Sequence, residues 1–366
     1  MAERTISFAR GAPSADILPH EAVREAAARA LESDWEKALS YGTGRGHPGL
    51  CEWIAELHGA EPEQVMVTNG SMEAAALLFR HLISAGDRVV VEQPSYDRTL
   101  LLLQQADVNF AKAPLEADGV DPAGIEAACA DGPVALAHII PNFHNPAGCT
   151  LALEKRSQLV QLAGDHEFTL FEDDPYRLIC FEKARGKTML EMDTADRVIH
   201  ASSFSKSVSP GVRVGYLVGP AEQITTLAKR ANETYISPNM LAESIVFELC
   251  QSGGLEDNLR VVNAALRERR DALVKALAEH IPEAKFVVPE GGYFLWLDLD
   301  DDVDSTALLA EAKEEGVTFV AGPDFMLEGG TSSLRLSFAP VPVDEVDEGI
   351  QRLARALERL RAGAPA

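Results

Sequence analysis

The chain has 366 residues, of which 46% are hydrophobic and 25% charged, enough for one large globular domain and a smaller one. Its net charge of −24 argues against nucleic acid or an anionic membrane surface as a partner. No apolar run is long enough to span a membrane, and the N-terminus lacks the apolar stretch of a signal peptide. The five cysteines are scattered along the chain, which argues against a disulfide framework or a zinc site. We therefore expect a cytoplasmic protein.

The middle of the chain alternates short apolar runs with longer amphipathic ones, which is the pattern of strands followed by helices. Seven strands are predicted, at residues 65–68, 88–92, 109–112, 134–140, 169–172, 198–201 and 214–218. Helices are predicted between most of them, at 71–84, 97–105, 122–130 and 154–166. This α/β alternation predicts a mostly parallel seven-stranded sheet between helices, with a ligand at the carboxyl ends of the strands.

The pattern changes after about Gly253, where apolar residues at helical spacing predict one long helix over 256–280. Short strands are then predicted at 286–288, 293–299, 318–320 and 333–338, with helices at 305–315 and 343–360. We therefore predict a large domain at 41–253 and a small α/β domain at 254–366. Residues 1–40 contain too little strand to stand alone, so we expect them to pack on the small domain or on a partner subunit.

Candidate binding loops lie before the first predicted strand and after each of the first two. Gly70 and Ser71 open a helix, where free N–H groups form an anion cradle, although an ordinary helix cap is the commoner explanation. Tyr96 follows the next strand and could stack on a planar ring or simply pack on the surface. Residues 41–50 contain four glycines, which permit close approach of backbone to a ligand, although a flexible connector is the commoner explanation.

Two polar loops follow the next pair of strands. Asn145 could donate a hydrogen bond to a ring oxygen, whereas its neighbour His144 has no paired carboxylate in the sequence and is interpreted as solvated. Glu172, Asp173 and Asp174 end the following strand, where a carboxylate could keep a heterocyclic nitrogen protonated. Binding of a metal by these three acids is the alternative, and because no matching histidine or acidic cluster accompanies them, we expect no metal.

Lys206 lies in a serine-rich turn directly after the predicted strand 198–201, and Arg213 follows seven residues later. A lysine amine condenses with an aldehyde, and hydroxyls with a guanidinium hold a phosphate, so this pattern suits a phosphorylated aldehyde. A surface lysine in a serine-rich loop is the alternative. Arg335 interrupts an apolar strand pattern. Its guanidinium could bind a carboxylate through two hydrogen bonds, and the alternative is a strand residue on the solvent face.

The candidate residues described above share one feature, which is their position directly after predicted strands. Gly70, Tyr96, Asn145, Asp173 and Lys206 all follow predicted strands. Because the ends of parallel strands meet at one edge of a sheet, we expect these residues to lie around a single site.

Together these motifs resemble the fold-type I pyridoxal-phosphate aminotransferases of class I/II. Within that family the chain is most similar to the branch that contains 2-aminoadipate and kynurenine aminotransferases and MocR-type effector domains. The resemblance extends from residues 6–13 to residues 334–338. It implies a fold-type I architecture, pyridoxal 5′-phosphate as the cofactor, an amino acid and a 2-oxo acid as substrates, and a homodimer.

The resemblance also implies roles for individual positions. Lys206, Asp173 and Tyr176 are the implied catalytic residues: Lys206 binds the cofactor covalently and moves the Cα proton, and Asp173 pairs with the pyridine nitrogen. The cofactor contacts implied are Lys206, Asp173, Asn145, Tyr176 and Tyr96 at the ring, Gly70, Ser71, Met72, Ser203, Ser205 and Arg213 at the phosphate, and Tyr41 from the neighbouring subunit. Arg335 and Asn145 are implied to bind the substrate.

Three positions depart from the family pattern. Met72 stands where relatives often have a polar residue, so only its backbone can contact the phosphate. Cys51 replaces an arginine, which we expect to matter little for catalysis. Arg10 stands where relatives of this branch often have glycine, and we hypothesise that it faces the substrate side chain and favours an acidic or polar group.

The expected reaction is ping-pong transamination with 2-oxoglutarate as the acceptor. A β-lyase, or a biosynthetic cyclase or oxidase, would use the same residues, so the sequence leaves these alternatives open. A cofactor-binding sensor is the non-enzyme alternative, which the acidic composition and the start of the chain directly at this fold disfavour.

Overall fold

The computed structural model describes residues 4–182 and 186–363. Its strands are β1 (Ile6–Ser7), β2 (Val65–Thr68), β3 (Arg88–Gln93), β4 (Asn109–Glu116), β5 (Gly119–Val120), β6 (Leu136–Ile139), β7 (Thr169–Asp173), β8 (Val198–Ser203), β9 (Gly215–Val218), β10 (Phe294–Asp298), β11 (Val317–Thr318), β12 (Val320–Ala321) and β13 (Ser333–Ser337).

Its helices are α1 (His20–Ser33), α2 (Trp35–Ala38), α3 (Pro48–His58), α4 (Ser71–Leu82), α5 (Asp97–Gln105), α6 (Pro122–Ala130), α7 (Leu153–Asp165), α8 (Phe204–Ser207), α9 (Ala221–Tyr235), α10 (Met240–Gln251), α11 (Gly254–His280), α12 (Ser305–Glu314) and α13 (Val343–Gly363). None of these helices combines the length and apolarity that a bilayer crossing requires, within the residues described.

The main sheet has the strand order β2-β9-β8-β7-β6-β3-β4-β5. Strands β8, β7, β6, β3 and β4 run parallel, whereas β9 runs antiparallel between β2 and β8. All seven predicted strands are present. An eighth, β5, turns back antiparallel to the end of β4, and Gly119 permits this turn with a φ of +101°. The central strands are apolar because helices cover both faces of the sheet.

A second sheet, of order β10-β13-β12, packs with α11, α12 and α13. Two predictions for this region were wrong. Residues 286–288 form no strand, and only an isolated bridge joins Lys285 to Asp298. The predicted strand 318–320 is divided at Phe319, because β11 lies parallel to β1 whereas β12 pairs with β13.

The N-terminal segment packs on two parts of the molecule. β1 pairs with β11, the Phe8 ring is fully buried, and Ser337 N donates to Phe8 O at 2.7 Å. Helix α1 packs against α10, which lies in the range predicted for the large domain. The division into domains after residues 40 and 253 stays a prediction.

The burial of Phe8 predicts a large stability effect. Phe8→Ala should lower the free energy of unfolding by about 3–5 kcal/mol, because a phenyl ring is removed from a closed core. Val261→Ala is the control, since Val261 is 60% exposed on α11, and it should change stability by no more than about 0.5 kcal/mol. Urea unfolding followed by circular dichroism measures both values, and equal midpoints for the two variants would contradict the packing described for Phe8.

Candidate active site

A cavity of about 140 Å³ lies at the carboxyl ends of the parallel strands. Strands β7 and β8, helix α8 and the loops after β3 and β6 contribute to its wall. The predicted site residues in its lining are Ser71, Met72, Tyr96, Asn145, Asp173, Tyr176, Ser203, Ser205, Lys206 and Arg213. The structure therefore brings together residues that are separated by more than a hundred positions in the sequence.

Lys206 is held in place by hydrogen bonds to its side-chain amine and to its backbone. Its Nζ donates to Gly11 O at 2.8 Å, and its own backbone oxygen accepts from the Tyr293 hydroxyl at 2.9 Å. Burial lowers the pKa of the amine to about 8, and the positive charges of Arg335 and Arg213 add to this effect. An appreciable fraction of the amine is therefore neutral near physiological pH, as a nucleophile must be.

Asp173 faces the cavity with one oxygen available. Its Oδ2 lies 3.3 Å from His138 Nε2. Its Oδ1 is buried and has no hydrogen-bond partner among residues 4–182 and 186–363. A buried oxygen without a donor is costly, so this position fits a ligand that brings a donor such as a protonated ring nitrogen.

The two neighbouring acids point to the other face of the sheet, because side chains alternate along a strand. Glu172 accepts from Met189 N at 2.8 Å and Leu190 N at 3.2 Å, and lies 3.0 Å from His200 Nδ1. Asp174 is buried there with Glu172 and His200, and burial raises its pKa to about 6. The three acids therefore do not converge on one point. Glu172 and Asp174 instead meet His200, with ligand atoms within 4.8 Å of one another, so the expectation that no matching histidine accompanies these acids was wrong.

An anion cradle lies at the start of α4. The Arg213 guanidinium donates to Asn69 O and to Ser205 Oγ, both at 3.3 Å. A Cβ on Gly70 would lie 2.3 Å from Arg213 Nη2, and Gly70 has a φ of +91°, so only glycine fits at this place. The free N–H groups that begin with Ser71, the guanidinium and the serine hydroxyl suit a phosphate.

The Arg335 guanidinium lies between two aromatic rings, with its centre 4.2 Å from the Phe294 centroid and 4.7 Å from that of Phe325. It donates to Asn145 Oδ1 and to Ala9 O, both at 2.8 Å. Its Nε is buried and lacks a partner within the described ranges. The alternative that Arg335 lies on a solvent face is wrong, and the geometry fits a carboxylate ligand.

Four predicted site residues do not line the cavity. Gly70 and Arg335 are buried next to residues that do, whereas the other two lie at the surface. The Tyr41 side chain is 84% exposed, and Arg10 is also exposed. Neither belongs to the cavity lining. Cys51 is buried, and its thiol lies 3.4 Å from Arg45 O.

Sequence reasoning missed several residues that support the site. His144 is fully buried, and its Nε2 lies 3.1 Å from Glu92 Oε2, so its interpretation as a solvated histidine was wrong. His138 behind Asp173 and Tyr293 beside Lys206 were also missed. A signal existed for Glu92, because it ends a strand at the same edge of the sheet as His144.

Both a family model and individual relatives match nearly the whole chain. The family model described as aminotransferase class I and II matches residues 3–353. The chain is 33% identical to the 2-aminoadipate transaminase of Thermus thermophilus, over 98% of this chain and 91% of the relative. It is 31% identical to the aromatic-amino-acid aminotransferase 1 of Thermococcus litoralis, over 96% of this chain and 88% of the relative.

A solved structure extends this similarity to three dimensions. The crystal structure of the α-aminoadipate aminotransferase from Thermus thermophilus, complexed with N-(5′-phosphopyridoxyl)-L-leucine, superposes with a TM-score of 0.93 at 33% identity. The superposition covers 98% of this chain and 94% of the other.

The lowered pKa of Lys206 predicts how cofactor-free protein reacts with pyridoxal 5′-phosphate. Only the neutral amine attacks an aldehyde, so the rate of covalent capture should rise with pH and level off above about 8. Borohydride reduction followed by peptide mapping measures the capture at Lys206 at each pH. A rate that rises steeply only above pH 10, as for an ordinary lysine, would contradict the lowered pKa.

Proposed function

Because this chain belongs to the aminotransferase class I and II family, we propose that it transfers an amino group from an L-amino acid to 2-oxoglutarate by a ping-pong mechanism. The enzyme is a fold-type I, pyridoxal-phosphate-dependent transaminase, as the sequence predicted. The choice of 2-oxoglutarate, the ping-pong order and the roles of individual residues are parts of the proposal.

The observation that carries the proposal is that three open groups lie in or next to one cavity. Lys206 and Asp173 line it, and Arg335 donates to Asn145 of the same lining. Lys206 offers an amine of lowered pKa, Asp173 offers a buried oxygen without a donor, and Arg335 offers a buried N–H without an acceptor. An aldehyde, a protonated ring nitrogen and a carboxylate are the respective complements of these groups.

The residues present fit pyridoxal phosphate. When bound, this cofactor supplies an electron sink for the charge that develops as the substrate Cα loses its proton. Asp173 Oδ1, which is buried without a donor among the described residues, would accept from the ring nitrogen and keep the ring cationic. Asn145 and Tyr176 would contact the ring oxygen, and Tyr96 would stack on the ring.

The phosphate would occupy the cradle at the start of α4. Its proposed contacts are Gly70, Ser71, the backbone of Met72, Ser203, Ser205 and Arg213. Lys206 would hold the cofactor through its amine, and the same amine, when free, would carry the Cα proton.

Substrate binding is assigned to Arg335 and Asn145, which contact each other at the edge of the cavity. Arg335 would bind the α-carboxylate of the amino acid, and Asn145, which accepts from Arg335, would hold the guanidinium in place. Arg10 lies in the same N-terminal segment as Gly11, whose oxygen accepts from Lys206. This closeness in sequence supports the hypothesis that Arg10 contacts an acidic or polar substrate side chain.

The proposed enzyme is a cytoplasmic homodimer in which Tyr41 reaches the phosphate of the neighbouring subunit. The exposure of Tyr41 supports this arrangement, as do the exposed apolar side chains Trp35 and Leu39 just before it in the chain. Such exposed apolar groups are typical of a surface that a partner covers. We propose neither nucleic acid nor a membrane as a partner.

Lys206→Ala should abolish turnover, because both the covalent attachment and the proton carrier are removed. Formation of L-glutamate from 2-oxoglutarate, in the presence of an L-amino acid mixture, measures the activity of wild type and variant. Wild-type activity in Lys206→Ala would refute the proposal. Release of pyruvate and ammonia from wild type without any acceptor would instead favour the β-lyase.

Arg10→Ala should change the order of preferred amino donors. We expect kcat/KM for L-2-aminoadipate relative to L-leucine to fall about tenfold, because a charged hydrogen bond contributes about 1.5–3 kcal/mol. Arg4→Ala is the matched control, since Arg4 is an exposed arginine of the same segment that pairs with Glu345. An unchanged ranking of donors in Arg10→Ala would remove Arg10 from the substrate site.

A further inference from the structure

Glu92 and His144 form a pair that is buried directly behind the cavity. Glu92 is 2% exposed, His144 is fully buried, and Glu92 Oε2 lies 3.1 Å from His144 Nε2. Neither residue belongs to the cavity lining. Burial of an ionisable pair is costly unless its hydrogen bonds are satisfied, so the arrangement of these bonds indicates what the pair does.

The hydrogen bonds fix the orientation of the His144 ring. Glu92 Oε2 also accepts from Ile140 N at 2.8 Å, which anchors the carboxylate to the end of β6. His144 Nδ1 accepts from Ala147 N at 3.2 Å. Because Nδ1 accepts a hydrogen bond from the Ala147 amide, the ring proton is on Nε2 and points at the carboxylate. Rotation of the ring would break both contacts at once.

The backbone of His144 closes the turn that carries Asn145. His144 N donates to Cys149 O at 2.9 Å, and His144 O accepts from Gly148 N at 2.6 Å. The ring and the backbone of one residue thus hold both ends of a short turn. Asn145, the next residue, extends its Oδ1 to Arg335 Nη1 at 2.8 Å.

We propose that Glu92 and His144 are positioning residues that hold Asn145 where its amide serves both Arg335 and the cofactor ring. This inference rests on the proposed function, because it assigns Asn145 to a cofactor and a substrate. Neither Glu92 nor His144 touches the reacting atoms. Their effect reaches the substrate through Arg335 and the cofactor through the ring oxygen.

Loss of the Glu92 carboxylate should release the ring and let the turn shift. A misplacement of about 1 Å can cost about a hundredfold in rate. If Asn145 is displaced, the Arg335 guanidinium loses the hydrogen bond that orients it. Because Arg335 is proposed to bind the α-carboxylate, KM for the amino donor should rise more than kcat falls. The ring oxygen also loses a hydrogen bond, which should shift the pH at which the visible absorption band of the holoenzyme titrates.

The test compares holoenzymes of wild type, Glu92→Ala, Glu92→Gln and Glu248→Ala. Glutamine retains an oxygen that can accept from Ile140 N and His144 Nε2, so it should rescue positioning. Glu248 is a buried carboxylate of α10 that lies 3.4 Å from Arg29 Nε and outside the cavity lining, which makes it a control for lost stability alone.

In Glu92→Ala, we expect KM for L-glutamate to rise about tenfold or more and the titration midpoint of the visible band to move by about half a pH unit or more. In Glu92→Gln, both values should stay within about threefold and about 0.2 pH units of wild type. Glu248→Ala should leave both values unchanged even where its melting temperature falls.

His144→Asn extends the test if Glu92→Ala does not fold. Its side-chain oxygen can still accept from Ala147 N, but the contact with Glu92 is lost, so the same shifts in KM and titration are expected. A stability loss with unchanged KM and titration, in either variant, would overturn the inference and leave a merely structural pair. Equal impairment of Glu92→Gln and Glu92→Ala would also overturn it, since charge rather than geometry would then matter.

The titration of the visible band requires no amino donor. If wild type fails to convert L-glutamate, the proposed substrates are wrong, yet the titration still decides whether the pair positions Asn145. A midpoint that differs between Glu92→Ala and wild type but not between Glu92→Gln and wild type supports the inference. Identical midpoints in all variants overturn it.

Discussion

The parallel register of β8, β7, β6 and β3 is the constraint on which the site depends. Asp173 is paired with Ala201 and Glu172 with Ile139, so the strands end close to one level at one edge of the sheet. The hydrogen bonds of the sheet fix where each strand ends relative to its neighbours, so each following loop starts from a defined point. Lys206 and Asp173 meet in one cavity for this reason, although 33 residues separate them in the chain.

Alternation along β7 gives three consecutive acids different environments. Asp173 faces the cavity with an open oxygen, whereas Glu172 is enclosed by two backbone amides and His200. Buried polar atoms around the site therefore fall into two groups. Some bond to protein, such as the Glu172 oxygens, and others lack a partner among the described residues, such as Asp173 Oδ1 and Asp174 Oδ1. The same division appears in Glu92 and His144, whose polar atoms bind protein, and in Arg335, whose Nε stays open.

Much of the fold was predictable, because strand and helix periodicity is local and each of the seven predicted main-sheet strands formed. The Lys206, Asp173 and Arg213 motifs were recognisable for the same reason. The bond between Glu92 and His144 was not, since the residues are 52 positions apart and the predicted strand ends indicate only that both lie at one edge of the sheet. The division of the strand at Phe319 likewise depends on β1, more than 300 residues earlier in the chain. The roles of Tyr41 and Arg10 depend on a second subunit or a substrate, so neither periodicity nor one chain determines them.

The central claim is that Lys206 binds pyridoxal phosphate in a cavity built for amino-group transfer. The most direct measurement is the absorption spectrum of the purified holoenzyme before and after addition of L-glutamate. The account predicts a visible band that disappears with L-glutamate as the cofactor takes up the amino group, and that returns with 2-oxoglutarate. A protein that shows no visible band, even after added pyridoxal phosphate, would contradict the assignment of Lys206 and with it the site described.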